Sequence, residues 1–120
     1  TVWQQLTADG VGVLGIRDTP WLAYRAIDCL ADGGTATSCG IPRDEALDPV
    51  NPALASSFQL RGFSALDLSD AVCDDTMCRA EQGNVLIYRD EHHLTATYVR
   101  TLTTELGRQI GSATGWWAGP

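Results

Sequence analysis

The chain has 120 residues and a hydrophobic fraction of 44%, which suits one small domain or part of a larger one. Its formal net charge is −7 and no basic stripe is present, which argues against a nucleic-acid partner. No run approaches the roughly 20 apolar residues of a membrane-spanning helix, and none resembles a signal peptide. Thr1 already lies in an ordered-looking segment, so we expect a domain cut from a longer polypeptide, with any targeting or membrane element upstream.

Helix and strand patterns alternate at the start of the chain. Residues 2–6 are typical of the end of a helix that stops at the following Asp-Gly pair. Residues 11–16 form a short apolar run, which favours a strand covered on both faces in a parallel sheet. Arg17 and Asp18 follow the strand at the edge where open α/β sheets bind ligands. Both are candidate substrate-binding residues, with a structural salt bridge or turn as the alternative.

The middle of the chain is less regular. Residues 22–39 are predicted to be irregular and residues 41–52 to form a loop, because glycine, proline and acidic residues interrupt them. Residues 53–60 are predicted to form a helix that starts after a proline. Residues 63–68 alternate apolar and polar side chains, as a strand does.

Another strand and an amphipathic helix end the chain. A Gly-Asn turn precedes a predicted strand over residues 85–88. An apolar residue then recurs every four positions, which predicts a helix packed on a sheet: Leu94, Tyr98, Leu102, Leu106 and Ile110. The element order predicts an α/β fold, a partial three-layer α/β/α sandwich with a mainly parallel sheet and some upstream strands missing.

The four cysteines form two local pairs in polar loops. Four cysteines allow three pairings. We expect the two local disulfides, Cys29 with Cys39 and Cys73 with Cys78, because small rings close easily there. Zinc binding and free thiols are the alternatives, although zinc sites usually have closer cysteine spacing completed by histidine. Disulfides would place the domain outside the cytosol.

Asp90 and His93 are the candidate catalytic residues. They are three positions apart, between the strand that ends at Tyr88 and the last helix, so one helical-type turn would bring them together. The carboxylate could then accept the Nδ1 proton of His93 and leave Nε2 free to take a proton from a serine nucleophile. The alternative is that both are surface residues that cap a helix. No cofactor or metal site is predicted.

These residues also resemble a known family. A block of Asp-x-x-His-Leu that leads from a strand into a terminal amphipathic helix resembles the last block of the SGNH hydrolases. The resemblance extends over roughly residues 11–110 to the SGNH domain of bacterial acyltransferase-three membrane proteins, which O-acetylate cell-envelope glycans. The segments that carry it are Val13-Leu14-Gly15-Ile16, Asp18-Thr19-Pro20-Trp21, Asp28-Cys29, Cys39, the Cys73 and Cys78 pair and Tyr88-Arg89-Asp90-Glu91-His92-His93-Leu94.

The resemblance assigns roles and shows what is absent. It implies that His93 is the base and Asp90 its partner, since the family histidine precedes a leucine. It leaves His92 as a solvated turn residue or the alternative base. The family nucleophile lies in a Gly-Asp-Ser block and its oxyanion donors in glycine and asparagine blocks, neither of which this sequence contains. We therefore expect the C-terminal portion of an SGNH domain, residues 1–120, that is inactive alone.

Three functions are compatible with this pattern. The first is the extracytoplasmic SGNH part of a membrane acyltransferase that O-acylates a cell-envelope glycan, and we expect the acyl group to be acetyl. Its partners would be the upstream membrane domain, an acyl donor and the glycan acceptor. The second is a fragment of a secreted esterase, and the third is a non-catalytic binding module. Trp3 and Trp21 are interpreted as core or rim packing residues. The Trp116-Trp117 pair could bind sugar rings or rest against a membrane surface, with an apolar tail folded back on the domain as the alternative.

Overall fold

The computed structural model describes residues 1–116, which contain seven short helices and six short strands; Trp117 lies outside the described residues. In chain order the elements are α1 (Val2–Ala8), β1 (Val13–Ile16), α2 (Ala26–Ala31), β2 (Ile41–Pro42), α3 (Arg43–Ala46), α4 (Leu54–Gln59), β3 (Phe63–Leu66), α5 (Ser69–Val72), β4 (Met77–Cys78), β5 (Glu81–Gln82), β6 (Val85–Leu86), α6 (Ala96–Thr101) and α7 (Thr103–Thr114). None of these helices is long and apolar enough to cross a membrane.

The predicted parallel sheet is present as one pair of strands. β1 and β3 run parallel over four residues, from Val13 opposite Phe63 to Ile16 opposite Leu66. The ring of Trp3 in α1 packs on Phe63 with centroids 4.8 Å apart. The other two pairs, β2 with β4 and β5 with β6, are antiparallel, so only one of the three described pairs is parallel. The described residues bury Gly15 and partly bury Val13 and Leu14, but they leave Ile16 at the end of β1 54% exposed.

Two segments predicted to be irregular contain regular structure. Residues 22–39 include α2, which buries Ala26 in the core, and residues 41–52 include β2 and α3. A helix of six residues shows too few turns for its periodicity to be read from sequence. The two-residue strand β2 exists because Ile41 pairs with Cys78, a contact between distant parts of the chain. Local patterns carry no signal for either element.

The strand predicted over residues 85–88 is shorter than expected. β5 and β6 form a two-residue hairpin around Gly83 and Asn84, whose φ angles of 57° and 61° are those such a turn requires. β6 ends at Leu86, and Tyr88 makes an isolated antiparallel bridge to Leu94. Tyr88 is nevertheless fully buried, at 0% exposure. The segment before Asp90 is therefore fixed by burial rather than by a longer sheet.

The predicted C-terminal helix is divided in two at Leu102. The N–H of Leu102 donates to the carbonyl oxygen of Val99, three residues back, whereas an α-helix bonds four residues back. The hydroxyl groups of Thr101 and Thr103 also donate to carbonyl oxygens of α6, at 2.6 and 2.9 Å, and such bonds bend helices. Tyr98 and Leu102 are buried as predicted, whereas the apolar positions further along α7 are only partly buried.

Both local disulfides are confirmed. Cys29 is bonded to Cys39 and Cys73 to Cys78, with Cα atoms 5.6 and 4.3 Å apart. The main hydrophobic cluster is built around them rather than around the β1–β3 pair. Its members are Leu22, Ala26, Cys39, Ile41, Ala46, Val72, Cys73, Cys78, Ala80, Ile87, Tyr88, Tyr98 and Leu102. This cluster therefore supports the segment that carries Asp90 and His93.

Candidate active site

A tight loop between Tyr88 and Leu94 carries the candidate catalytic residues. The bridge between these two residues closes the loop at its base, and the N–H of Arg89 donates to the carbonyl oxygen of His93 at 2.9 Å. Thr95 then caps α6, because its side-chain oxygen accepts the N–H of Tyr98 at 3.1 Å. The loop is thus held between a buried tyrosine and a capped helix.

Asp90 organises the loop from within. Its Oδ1 accepts hydrogen bonds from the backbone N–H groups of His92 and His93, at 2.9 and 2.7 Å. This is an aspartate-stabilised bend rather than the predicted helical-type turn, although it also brings residues three apart together. These backbone N–H groups, that of His93 first, hold the pKa of Asp90 well below its usual range. The carboxylate therefore stays ionised at neutral pH.

The side chains of Asp90 and His93 form the predicted dyad. Oδ2 of Asp90 lies 2.7 Å from Nδ1 of His93, so the carboxylate accepts a proton carried on Nδ1. The imidazole is then in the tautomer whose Nε2 has a free lone pair. The His93 side chain is 60% exposed, and no residue between 1 and 116 hydrogen-bonds to its Nε2. Nε2 is thus available to accept a proton from a reacting group.

The loop is anchored to the segment that follows β1. The hydroxyl of Thr19 donates to the carbonyl oxygen of His92 at 2.6 Å, and the N–H of Leu22 donates to that of Glu91 at 2.7 Å. The Asp-His loop therefore lies beyond the carboxyl end of a parallel strand, where α/β proteins bind ligands. Sequence reasoning did not find Thr19, because its partner is 73 residues away.

His92 is not the solvated turn residue that the sequence suggested. Its side chain is 29% exposed and its ring lies edge-on between Trp21 and His93, with centroid distances of 4.1 and 4.0 Å. Its Nδ1 is buried, has no hydrogen-bond partner among residues 1–116 and lies 3.6 Å from Oδ1 of Asp90. The carboxylate therefore orients His93 directly, whereas His92 supports the ring of its neighbour.

Trp21 lies at the rim of the site, which is one of the two positions that the sequence suggested. The residue is 52% exposed, and its Nε1 donates to Oδ2 of Asp18 at 3.1 Å. Oδ1 of the same carboxylate accepts the N–H of Thr19 at 2.8 Å. Asp18 thus fixes the orientation of Trp21. Trp3, by contrast, packs on the sheet as predicted.

These residues surround a cleft of about 570 Å³, a size typical of small-molecule sites. Its lining residues are Asp18, Thr19, Trp21, Arg89, His92, His93, Leu94 and Val99. The lining drawn from residues 1–116 includes no serine or cysteine that could act as a nucleophile. The cleft therefore presents a base and its orienter to an open space.

The structure separates the two predicted substrate-binding residues. Asp18 lines the cleft, but Arg17 does not, and its side chain is only 9% exposed. Arg17 forms an ion pair with Asp67 at 3.1 Å and also donates to the carbonyl oxygen of Asp48. These contacts are those of a structural salt bridge, which was the alternative to substrate binding for Arg17. Substrate contact by Asp18 or Arg17 stays a prediction.

The same cluster contains three potential metal-ligand atoms. One atom from each of Asp90, His92 and His93 lies within 4.8 Å of the others. The carboxylate, however, already accepts two backbone N–H groups and faces Nδ1 of His93. Coordination of an ion by Nδ1 of His93 would replace its hydrogen bond to the carboxylate, so the arrangement suits a base with its orienter better than a metal site.

Beneath the loop, the phenol of Tyr88 stays protonated. Burial, with a smaller contribution from Tyr98, raises the pKa of Tyr88 well above its usual value. The residue that begins the loop is thus buried and uncharged.

These features define a class: a disulfide-bonded α/β domain in which a carboxylate-oriented histidine faces a cleft beyond a parallel strand, as in Ser-His-Asp acyl-transfer and hydrolase enzymes. A family model described as the SGNH domain (fused to AT3 domains) matches residues 2–108, and the chain belongs to this family. The match confirms the resemblance to SGNH domains joined to acyltransferase-three domains. No curated protein and no solved structure matches the chain.

Proposed function

We propose that this chain is the C-terminal part of a bacterial SGNH domain and supplies the Asp-His part of a Ser-His-Asp triad that O-acylates a cell-envelope glycan, with acetyl as the expected acyl group. The observation that carries the proposal is the 2.7 Å contact between Oδ2 of Asp90 and Nδ1 of His93. The family match supports a fused acyltransferase-three domain as the partner that delivers the acyl group. The two disulfides support an extracytoplasmic location, because such bonds persist in oxidising compartments.

The proposed reaction has two acyl-transfer steps. Nε2 of His93 takes the proton of a serine hydroxyl as its oxygen attacks the carbonyl of the acyl donor, and returns the proton to the donor's leaving group. A sugar hydroxyl then attacks the acyl-serine, again giving its proton to Nε2, which returns it to the released serine oxygen. Asp90 stays ionised and stabilises the imidazolium that forms in each step.

We propose that polypeptide outside this chain supplies the serine. The sequence has no Gly-Asp-Ser block, and no described residue of the cleft lining is a serine. The radius of gyration is 16.4 Å, against about 13.6 Å for a compact domain of this length. Apolar side chains on and beside β1 are exposed, Ile16 at 54% and Val11 at 47%. Further strands and helices packed there would complete a three-layer sandwich.

The test compares this chain with the longer polypeptide in which it is joined to its acyltransferase-three domain. In the longer protein, we expect His93→Ala and Asp90→Asn each to lower the rate of acyl transfer by on the order of 10³-fold or more. His92→Ala is the matched control and should lower the rate less than about tenfold. The carboxylate of Asp90 lies 2.7 Å from the ring of His93 but 3.6 Å from that of His92, so it orients His93. The chain alone should hydrolyse p-nitrophenyl acetate no faster than free imidazole.

A second measurement examines the dyad without relying on turnover. Imidazole ¹⁵N shifts of the chain should show His93 protonated on Nδ1 in its neutral form, and Asp90→Asn should change that tautomer balance. A larger loss from His92→Ala than from His93→Ala would overturn the assignment of the base. Unchanged acyl transfer in every variant would leave a non-catalytic binding module, and serine-dependent turnover by the chain alone would refute the external nucleophile.

A further inference from the structure

The ring of Trp21 combines exposure with a fixed orientation. Trp21 is 52% exposed, yet its indole N–H donates to Asp18 and its backbone N–H donates to the carbonyl oxygen of Ala46 at 3.0 Å. Contact with the ring of His92 holds it from the side. An aromatic side chain ordered before binding loses little freedom when a ligand stacks on it. Contacts that fix an exposed ring are better explained by ligand binding than by packing.

The cleft around Trp21 has two kinds of wall. Trp21, Leu94 and Val99 provide apolar surface, and Val99 is 48% exposed. Arg89 and His93 provide polar groups, and both side chains are well exposed, at 69% and 60%. A pyranose ring has the matching character, with C–H groups on its faces and hydroxyl groups around its rim. Such a ring can stack on the indole while its hydroxyls meet the polar wall.

The charge of the chain selects among sugars. The net charge of the chain is −7. Asp18 lines the cleft, and Asp90 belongs to the dyad beside it. This field repels anionic ligands, although Arg89 offsets it locally. An uncharged pyranose is therefore favoured over a uronic acid or a phosphorylated sugar.

We infer that Trp21 is a stacking platform for one uncharged pyranose ring of the acceptor glycan, and that it presents that sugar to His93. The role of the bound sugar as acyl acceptor rests on the proposed function, whereas sugar binding by Trp21 does not. The ring contacts from Trp21 to His92 and from His92 to His93 connect the platform to the base. Trp21 is thus a residue that determines acceptor specificity, and its loss raises KM for the acceptor more than it lowers kcat.

The test follows the tryptophan indole N–H signals of the ¹⁵N-labelled chain during titration with chitotetraose, cellotetraose or tetragalacturonate. The Trp21 signal, assigned by Trp21→Phe, should shift with the two neutral oligosaccharides and less with the acidic one. Trp21→Leu should weaken binding of the neutral probes about tenfold, and Trp21→Phe should retain most of it. Trp116→Phe is the control, since Trp116 is 73% exposed but lies outside the cleft lining, and should leave affinity unchanged.

Asp18→Ala provides a second variant that keeps the ring but removes its lock. It should weaken binding of the neutral probes several-fold while the near-ultraviolet circular dichroism and the unfolding midpoint show a folded chain. Equal affinity of wild type and Trp21→Leu, or tighter binding of tetragalacturonate than of the neutral probes, would overturn the inference. Sugar binding through Trp21 with no His93-dependent acyl transfer in the longer protein would instead sink the proposed function and leave the platform standing.

Discussion

Removing the disulfide between Cys29 and Cys39 should destabilise the chain by a predictable amount. The bond closes a loop with a sequence separation of 10, and the chain-entropy relation gives about 2.7 kcal/mol for a loop of this length at 25 °C. Cys39 is fully buried at 0% exposure, so Cys39→Ala also loses packing around the missing sulfur. We expect the double variant Cys29→Ala/Cys39→Ala to lose about 3 kcal/mol and roughly 10 °C of melting temperature.

The measurement is urea unfolding of wild type and variant, followed by circular dichroism under non-reducing conditions. A reductant also opens the bond between Cys73 and Cys78, so reduced wild type should approach the stability of the double variant treated in the same way. A loss below about 1 kcal/mol would show that the loop is held by its other contacts, such as the paired hydrogen bonds between Thr35 and Ser38. In that case the entropic reasoning would be wrong for this loop.

Gly34 offers a control that depends on the sulfur atoms themselves. A Cβ at Gly34 would collide with Sγ of Cys39 and would lie 2.9 Å from both Sγ and the carbonyl oxygen of Cys29. Gly34→Ala should therefore cost about 1–3 kcal/mol in wild type. In the Cys29→Ala/Cys39→Ala background the cost should fall, leaving only the carbonyl contact. Additive costs would contradict the predicted coupling between Gly34 and the disulfide.

Two further predictions concern the loop anchor and the C-terminal helix. Thr19→Val removes the hydroxyl that donates to the carbonyl oxygen of His92, so we expect a loss of about 1–2 kcal/mol in urea unfolding; Thr19→Ser should restore most of it, and a neutral Thr19→Val would refute the anchor. Side-chain hydrogen bonds from Arg108, and then from Gln109, lower the pKa of Glu105 to about 2, so its contribution to stability is complete above the unfolded pKa near 4.5 and is lost as the pH falls through about 2. The difference in melting temperature between wild type and Glu105→Gln should therefore be constant above pH 5 and shrink between pH 4.5 and 2, and a gap that widens on acidification would contradict this sign.

The elements with the strongest local patterns were predictable. The apolar run in β1, the alternation in β3 and the Gly-Asn hairpin turn depend on neighbouring residues, and each lies where the sequence predicts it. The missed elements include α2, β2 and α3, which are two to six residues long and are stabilised by burial against the disulfide-centred cluster. Their stability comes from contacts between distant segments, which a local pattern does not contain.

The predicted helix at the end of the chain shows how two local signals compete. The four-residue repeat of apolar side chains indicates one continuous helix, and Tyr98 and Leu102 are buried accordingly. Threonine hydroxyls on either side of Leu102 bond to backbone carbonyl oxygens and divide the helix there. The repeat determines which face is buried, whereas the hydroxyl groups determine where the axis is interrupted.

The sequence by itself determined the chemistry of the dyad. Asp90 and His93 are close in sequence, and an aspartate readily bonds to backbone N–H groups two and three residues ahead, so their pairing needs no distant partner. Only the tertiary structure decided what the dyad faces. Thr19, Trp21 and Asp18 reach it from about 70 residues away along the chain. Because packing of separate segments creates this cleft, its aromatic wall and its fixed indole appear only once the chain is folded.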